Sequence, residues 1–356
     1  MPNSLTRSDV RLFVVGAVLT VFSAVTRYVD INDVVAFLAA GLTIAALATL
    51  VGRSVDQLGD RLGAGATGVL QSALGNLPEL FVCIFALRAG LLQVVEAAVI
   101  GSILGNILLV LGLAFLVGGL RNGTQRFDSE RARTIAAMML LAVAAMLVPS
   151  LAHSLHTSAS EHERALSVIA AVVLLVVFVC SVPASVRRSP EESSAGREAS
   201  HEGRWPLWLA IGVLAVTGVL AAFVSDWFVH ALEPAIVTLH ISQAFAGLVV
   251  VAIAGNAVEN VVGIQLAARN QADYALSVIL NSPLQIALVL APALVLLSFV
   301  IGGAAFTLVF PPLLVTTVVA AVLAVSFIII DGESVWLEGA ALLGLYVVVA
   351  ASFWWG

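Results

Sequence analysis

The sequence predicts an all-α polytopic membrane protein of about 11 transmembrane helices, arranged as two inverted five-helix repeats behind one extra N-terminal helix. Three observations lead there. Of the 356 residues 61% are hydrophobic and 11% charged, and the mean hydropathy is +1.08, outside the range of soluble globular domains. Apolar runs of roughly 17 to 25 residues recur along nearly the whole chain. Each can cross a hydrocarbon core of about 30 Å as a helix, the form that satisfies its own backbone. One polar motif also occurs twice at a fixed offset inside these runs.

In chain order the predicted spans are 11–28, 33–52, 65–87, 91–118, 132–150, 165–186, 206–228, 242–267, 273–299, 306–329 and 336–354. The first follows Arg7 and Arg11. Its length, and the lack of a small-residue cleavage site at Arg27-Tyr28, argue for an uncleaved helix over a signal peptide. Arg53 and Arg61 separate the second span from the third, Arg88 the third from the fourth, and Arg121, Arg126, Arg131 and Arg133 the fourth from the fifth. A loop with His153, His156, His162 and Arg164 precedes the sixth. No fixed ligand spacing frames these histidines, so they read as a polar surface loop. The stretch from Arg187 to Arg204 (RRSPEESSAGREASHEGR) is polar and mixed in charge, a solvated connector. Arg269 divides the eighth span from the ninth. With the N-terminus in the cytoplasm, thirteen arginines fall inside and only Arg27, Arg88 and Arg164 outside, a positive-inside bias that also requires an odd number of spans.

The resulting organisation is an extra helix in 1–30, a first five-helix repeat in 31–186, a cytoplasmic linker in 187–205 and a second repeat in 206–356. Cys83 and Cys180 both lie in apolar runs and read as unpaired small hydrophobes. The formal net charge of -6 carries no preference for basic partners, because most acids sit in short loops.

The repeat is visible as Gly75-Asn76-Leu77-Pro78-Glu79 against Gly255-Asn256-Ala257-Val258-Glu259, an offset of 180. Ser102 follows Glu79 by 23 residues, and Ser282 follows Glu259 by the same 23. Two signals sharing one offset imply a duplicated unit. Five spans per unit make the second copy enter the membrane from the opposite side, an architecture that places a transport site near the midplane.

An ionised glutamate at the centre of a span costs on the order of 3 kcal/mol on insertion scales, so such residues face protein or water and carry function. Glu79 and Glu259 both lie deep in their spans. The bland alternative, that each caps a broken helix or pairs with a buried arginine, lacks an arginine at comparable depth. Asn76 and Asn256, three residues earlier, share a helix face with their glutamates, and Ser72 extends the first stripe. Pro78 withholds an amide from the carbonyl of Leu74. Ser102 and Asn106 lie four apart, Ser282 and Gln285 three apart, and Gly101 and Gly105 form a GxxxG pair suited to close helix packing. Together these supply carboxylate, amide, hydroxyl and main-chain oxygens, the hard, irregular shell that Ca2+ accepts. Two buried carboxylates repel, which raises their proton affinity and makes H+ a competitor for the metal.

At these residues the chain resembles the Ca2+/H+ antiporter (cation exchanger) family of the calcium/cation antiporter superfamily. The match covers Leu70 to Gly119, with GNLPELFVCIFALRAG and GSILGNILLVLG, and Ala246 to Ser298, with GLVVVAIAGNAVEN and NSPLQIALVLAP. The resemblance implies essential acidic ligands at Glu79 and Glu259 and supporting ligands at Asn76, Asn256, Ser102, Asn106, Ser282 and Gln285. Departures are Asn260 where the family has histidine, Asn281 for glycine, Pro283 for serine, Gly105 for serine and Glu96 for glutamine.

The expectation is a secondary transporter of the inner (plasma) membrane, exporting Ca2+ against H+ by alternating access. It has no cofactor and no catalytic residue, and its partners are inorganic cations and the bilayer, not nucleic acid. Na+-coupled exchange on the same fold is the nearest alternative. An intramembrane enzyme or a passive channel is more remote, since no nucleophile or metal-ligand cluster accompanies the acids.

Overall fold

A computed structural model describes residues 5–29, 32–62, 74–188 and 205–355, with the side chains of 59–62, 182–188, 258 and 259 outside that description. Its helices are α1 (Arg7–Tyr28), α2 (Asp33–Leu62), α3 (Leu77–Arg88), α4 (Leu92–Asn122), α5 (Ser129–Ser154), α6 (Glu163–Arg188), α7 (Leu207–Leu239), α8 (Gln243–Gly255), α9 (Ala257–Ala268), α10 (Ala272–Ile301), α11 (Pro312–Ile329) and α12 (Trp336–Trp354). Among the described residues nine helices are long and apolar enough to cross a membrane, and α8 with α9, bent by 63°, makes a tenth. Residues 65–73 of the predicted span 65–87 lie outside the described residues, and its described part is 74–76 with α3. The linker 187–205 falls almost wholly on 189–204, also outside them. This is a multi-pass membrane protein.

The chain forms two compact units, Met1–Phe85 with Val176–Leu239, and Ala86–Leu175 with His240–Gly356. In the first, α7 packs along α2. Phe37 stacks on Phe228, whose ring also lies over Gly41. The N-terminal helix α1 docks on α2 through the buried pair Ser23 and Thr43, hydroxyl to hydroxyl at 2.7 Å. Its outer face, Val14, Val18, Val21 and Val25, is exposed and apolar, while Asp9, Gly16, Ser23 and Thr26 are buried. Small and polar inside, apolar outside is the pattern expected when lipid is the solvent.

In the second unit α4 runs through the core, and Val94 to Leu108 are almost entirely buried. Small residues let backbones meet there. A side chain at Gly101 would strike the main chain of Leu248, one at Gly247 the carbonyl of Val94, and Gly112 and Gly339 face each other across α4 and α12. Three stretches, Gly105–Val110, Ala246–Val251 and Ile286–Leu290, widen to π-helix inside α4, α8 and α10. The span expected from 306 begins instead at Pro312, because residues 302–311 are not helical. Irregular backbone at membrane depth survives only inside protein. Here Phe306 and Leu308 are completely buried, and serines satisfy the backbone: Ser150 Oγ donates to Leu308 O and accepts from Phe310 N, and Ser167 Oγ accepts from Leu308 N.

Within each unit the loops contact one another in separate groups. In the second unit β1 (Gln125–Arg126) pairs antiparallel with β2 (Glu333–Ser334), and Asn122 and Gln125 donate to the carbonyl of Ala267, joining three loops expected on one side. On the other, Ala304 N donates to Leu87 O and Ser242 N to Trp354 O. In the first unit Trp205 donates through Nε1 to Asp9 and through its amide to Gln57, while Arg53 pairs with Asp9 at 3.2 Å. Tyr28 and Trp227 meet edge to face at the other end.

Candidate cation site

The first motif does not sit in a continuous helix, as its sequence suggested. Gly75 and Asn76 form a turn, and α3 restarts at Leu77. A proline ring clashes with the carbonyl four residues back, and glycine favours the break. Asn76 O accepts the first helical bond, from Leu80 N at 2.9 Å, so Pro78 occupies the first turn, where its missing amide costs nothing. Glu79 is the third residue of α3 and completely buried. Its carboxylate belongs to the first turn of the restarted helix. Asn76 is buried beside it, with Nδ2 making no hydrogen bond among the described residues.

The second motif breaks at the same place without a proline. Asn256 has φ -102° and ψ 23°, outside the helical range, α9 starts at Ala257, and Asn260 N donates to Asn256 O at 3.1 Å. Glu259 is again the third residue of its helix, and its side chain lies outside the described residues, as does Ser72. Asn256 does not cap α9 with its side chain.

That side chain is engaged elsewhere. Asn256 Oδ1 accepts from Asn106 Nδ2 at 3.0 Å and from Ser282 Oγ at 3.1 Å, and its Nδ2 donates to Ala252 O at 2.9 Å. Asn106 Nδ2 also donates to Ser102 O at 2.8 Å and approaches Ser282 Oγ at 3.3 Å. Four predicted residues, Ser102, Asn106, Asn256 and Ser282, thus form one buried polar cluster within the second unit. Asn106 Oδ1 is buried with no hydrogen-bond partner among the described residues, leaving its lone pairs available to a cation. Gln285 is half-buried and makes no hydrogen bond to the cluster.

The π stretch that carries Asn106 and the close approach of Gly247 were missed from sequence. The offset held one clue to the asymmetry, since the counterpart of Asn106 is the apolar Ile286. Among the described residues, of the GxxxG pair only Gly101 makes a close contact, and a methyl added at Gly105 meets nothing within 4 Å. The His153 ring meets Glu163 on the surface, and no cluster of three or more metal-binding His, Cys, Asp or Glu side chains occurs among the described residues.

Broken membrane helices that place a carboxylate and buried amides in apolar surroundings define a secondary cation transporter fold. The sodium/calcium exchanger protein family model matches residues 32–186 and 209–355, and the chain belongs to that family, on its Ca2+/H+ antiporter (cation exchanger) branch. The chain is 36% identical over 361 residues to the Ca2+/H+ antiporter of Synechocystis sp., with 96% of this chain and 97% of the relative covered. It is 35% identical over 338 residues to the Ca2+/H+ antiporter of Aphanothece halophytica, covering 90% of each. The solved structure of YfkE superposes with a TM-score of 0.82 at 31% identity, covering 96% of this chain and 99% of that one.

Proposed function

We propose that this chain is a secondary active antiporter that exports Ca2+ from the cytoplasm across the inner (plasma) membrane in exchange for H+, with its N-terminus in the cytoplasm. Glu79 and Glu259 bind cation and proton in alternation. Asn76, Asn256, Ser102, Asn106, Ser282 and Gln285 supply neutral oxygens to the shell. The observation that carries this reading is the repeated break: a glutamate third in a restarted helix, inside an apolar span, in both halves of the chain. The π stretches following Ser102 and Ser282, at matching places in α4 and α10, support a duplicated unit in 31–186 and 206–356 around the linker 187–205. The names of the relatives support the ion pair.

Crossing with both carboxylates ionised and empty would carry uncompensated charge through low dielectric. The site therefore alternates only when loaded with cation or protons, and coupling follows. The test is radioactive Ca2+ uptake into inverted vesicles under an imposed pH gradient, with Na+ varied separately. Uptake driven by the pH gradient and lost in Glu79→Gln and in Glu259→Gln is expected. Normal rates in either variant refute the site. Na+-coupled exchange is the second reading, favoured by Asn260, which leaves no titratable group next to Glu259. Uptake that follows the Na+ gradient at fixed pH would select it.

A further inference from the structure

The helix that carries Glu259 is a detached piece. α9 is 12 residues long and turns 63° away from α8 at the break around Asn256, so the helical hydrogen bonds of α8 do not orient it. It packs instead along Leu111–Asn122, the last three turns of α4. Polar ties join the two helices at both ends. At the start of α9, Asn106 Nδ2 donates to Asn256 Oδ1 at 3.0 Å. At its far end, Asn122 Nδ2 and Gln125 Nε2 each donate to Ala267 O at 3.2 Å, and Asn122 Nδ2 also reaches Ala268 O at 3.5 Å.

The second tie is not needed to finish the helix. The last carbonyls of a helix lack partners within it, and here the following turn supplies them. Arg269 N donates to Gln265 O and Leu266 O, and Gln271 N to Leu266 O. Asn270, in the left-handed region at φ 61°, donates to Ala267 O at 3.1 Å. Ala267 O is therefore already partnered when the two amides reach it. Packing does not call for a glutamine at 125 either. Gln125 is 1% exposed and its Oε1 has no hydrogen-bond partner among the described residues, an arrangement that opposes folding. Yet two features seat this side chain. β1 pairs Gln125 with Ser334, and Gly118 leaves the space in which the amide lies, since a methyl on Gly118 would stand 2.2 Å from Nε2.

We propose that Gln125, together with Asn122, is a positioning residue for the cation site. The two amides fix α9 along α4, and so hold the backbone at Glu259 in register with Asn106 and Ser282. They touch no ion. The inference rests on the antiport reading above, in which Glu259 binds the cation. Ligands bind well only when supporting groups hold them in place, and losing such a partner costs about tenfold or more in metal affinity.

The test compares Gln125→Met, which keeps an unbranched side chain of similar length without the donor, with Gly118→Ala, which pushes the amide aside and leaves Gln125 in the chain. Ca2+ for half-maximal exchange and maximal rate are measured in proteoliposomes at fixed pH, and thermal unfolding in detergent. Both variants should need about tenfold more Ca2+. Their maximal rate per folded protein and their unfolding temperature should stay at the wild-type level. Combining the two should add no further shift, because both act through one amide. An unchanged Ca2+ requirement in either variant overturns the proposal. So does a fall in stability and rate without a change in that requirement, which marks a merely structural role, and so do shifts that add in the double variant. Glu259→Gln is run alongside. If it exchanges normally, the site reading itself fails; if it is inactive while the Gln125 and Gly118 variants match wild type, only the positioning role fails.

Discussion

Replacing Gly101 by alanine is the sharpest test of how the polar cluster is held. A methyl group there overlaps the Cα, carbonyl carbon and oxygen of Leu248, and on the partner helix one at Gly247 would lie 2.9 Å from Ala97 Cβ and 3.0 Å from Ala98 N. These obstacles are largely main chain, so no rotamer relieves them. Carbon atoms rest at about 3.5–4.0 Å, which requires α4 and α8 to part by roughly 1 Å. Such overpacking costs about 1–3 kcal/mol. The same movement stretches the 3.0 Å bond from Asn106 to Asn256 past hydrogen-bonding reach, a further loss of about 1 kcal/mol. Gly105→Ala, four residues on, is the control. Nothing among the described residues lies within 4 Å of its added methyl, and alanine is the better helix former by about 0.5–1 kcal/mol. Thermal unfolding of the purified protein in detergent, alongside the Ca2+ dependence of exchange, should show Gly101→Ala several degrees less stable and weaker in Ca2+, with Gly105→Ala equal to or above wild type. Identical behaviour of the two variants would refute the claim that backbone contact at Gly101 sets the cluster.

Three further outcomes follow from the same geometry. Trp205→Ala removes a completely buried indole that donates to Asp9 and packs on Phe13, and should cost about 3–5 kcal/mol in thermal unfolding, with Trp205→Phe recovering part of it. Ser150→Ala strips the non-helical segment 302–311 of its partners at Leu308 O and Phe310 N, at about 1–3 kcal/mol, and should be read as faster amide exchange at Phe310. Asn256→Ala removes the acceptor shared by Asn106 and Ser282, so it should destabilise by about 1–3 kcal/mol and raise the Ca2+ needed for half-maximal exchange.

Much of this molecule is legible in one dimension because lipid imposes a simple rule: a segment that crosses must be apolar, helical and long enough. Predicted spans such as 132–150 and 336–354 reappear as α5 and α12 within a few residues. The motif pairing was equally open to inspection, since the same residue identities recur at one constant offset of 180. Helix continuity was harder. Hydropathy treats 65–87 and 242–267 as unbroken, yet a turn at Gly75-Asn76 and another at Asn256 interrupt them, and an average over twenty residues cannot register one non-helical pair of dihedrals. The apolar run from 306 misled for a related reason, because Phe306, Leu308 and Phe310 are buried by protein and not by lipid, with serines from α5 and α6 replacing the helical hydrogen bonds.

Composition, charge asymmetry and the doubled motif by themselves determined a multi-pass helical transporter and singled out Glu79 and Glu259. Only the tertiary structure decided which neutral groups gather: Ser102, Asn106, Asn256 and Ser282 converge, Gln285 stays apart, and Gly101 rather than Gly105 makes the contact. The reason is physical. Burial and helix formation depend on local composition and short-range periodicity, which a sequence displays directly. Hydrogen bonds between residues 150 or 176 positions apart depend on how closely two backbones approach, and that distance is set by packing across helices.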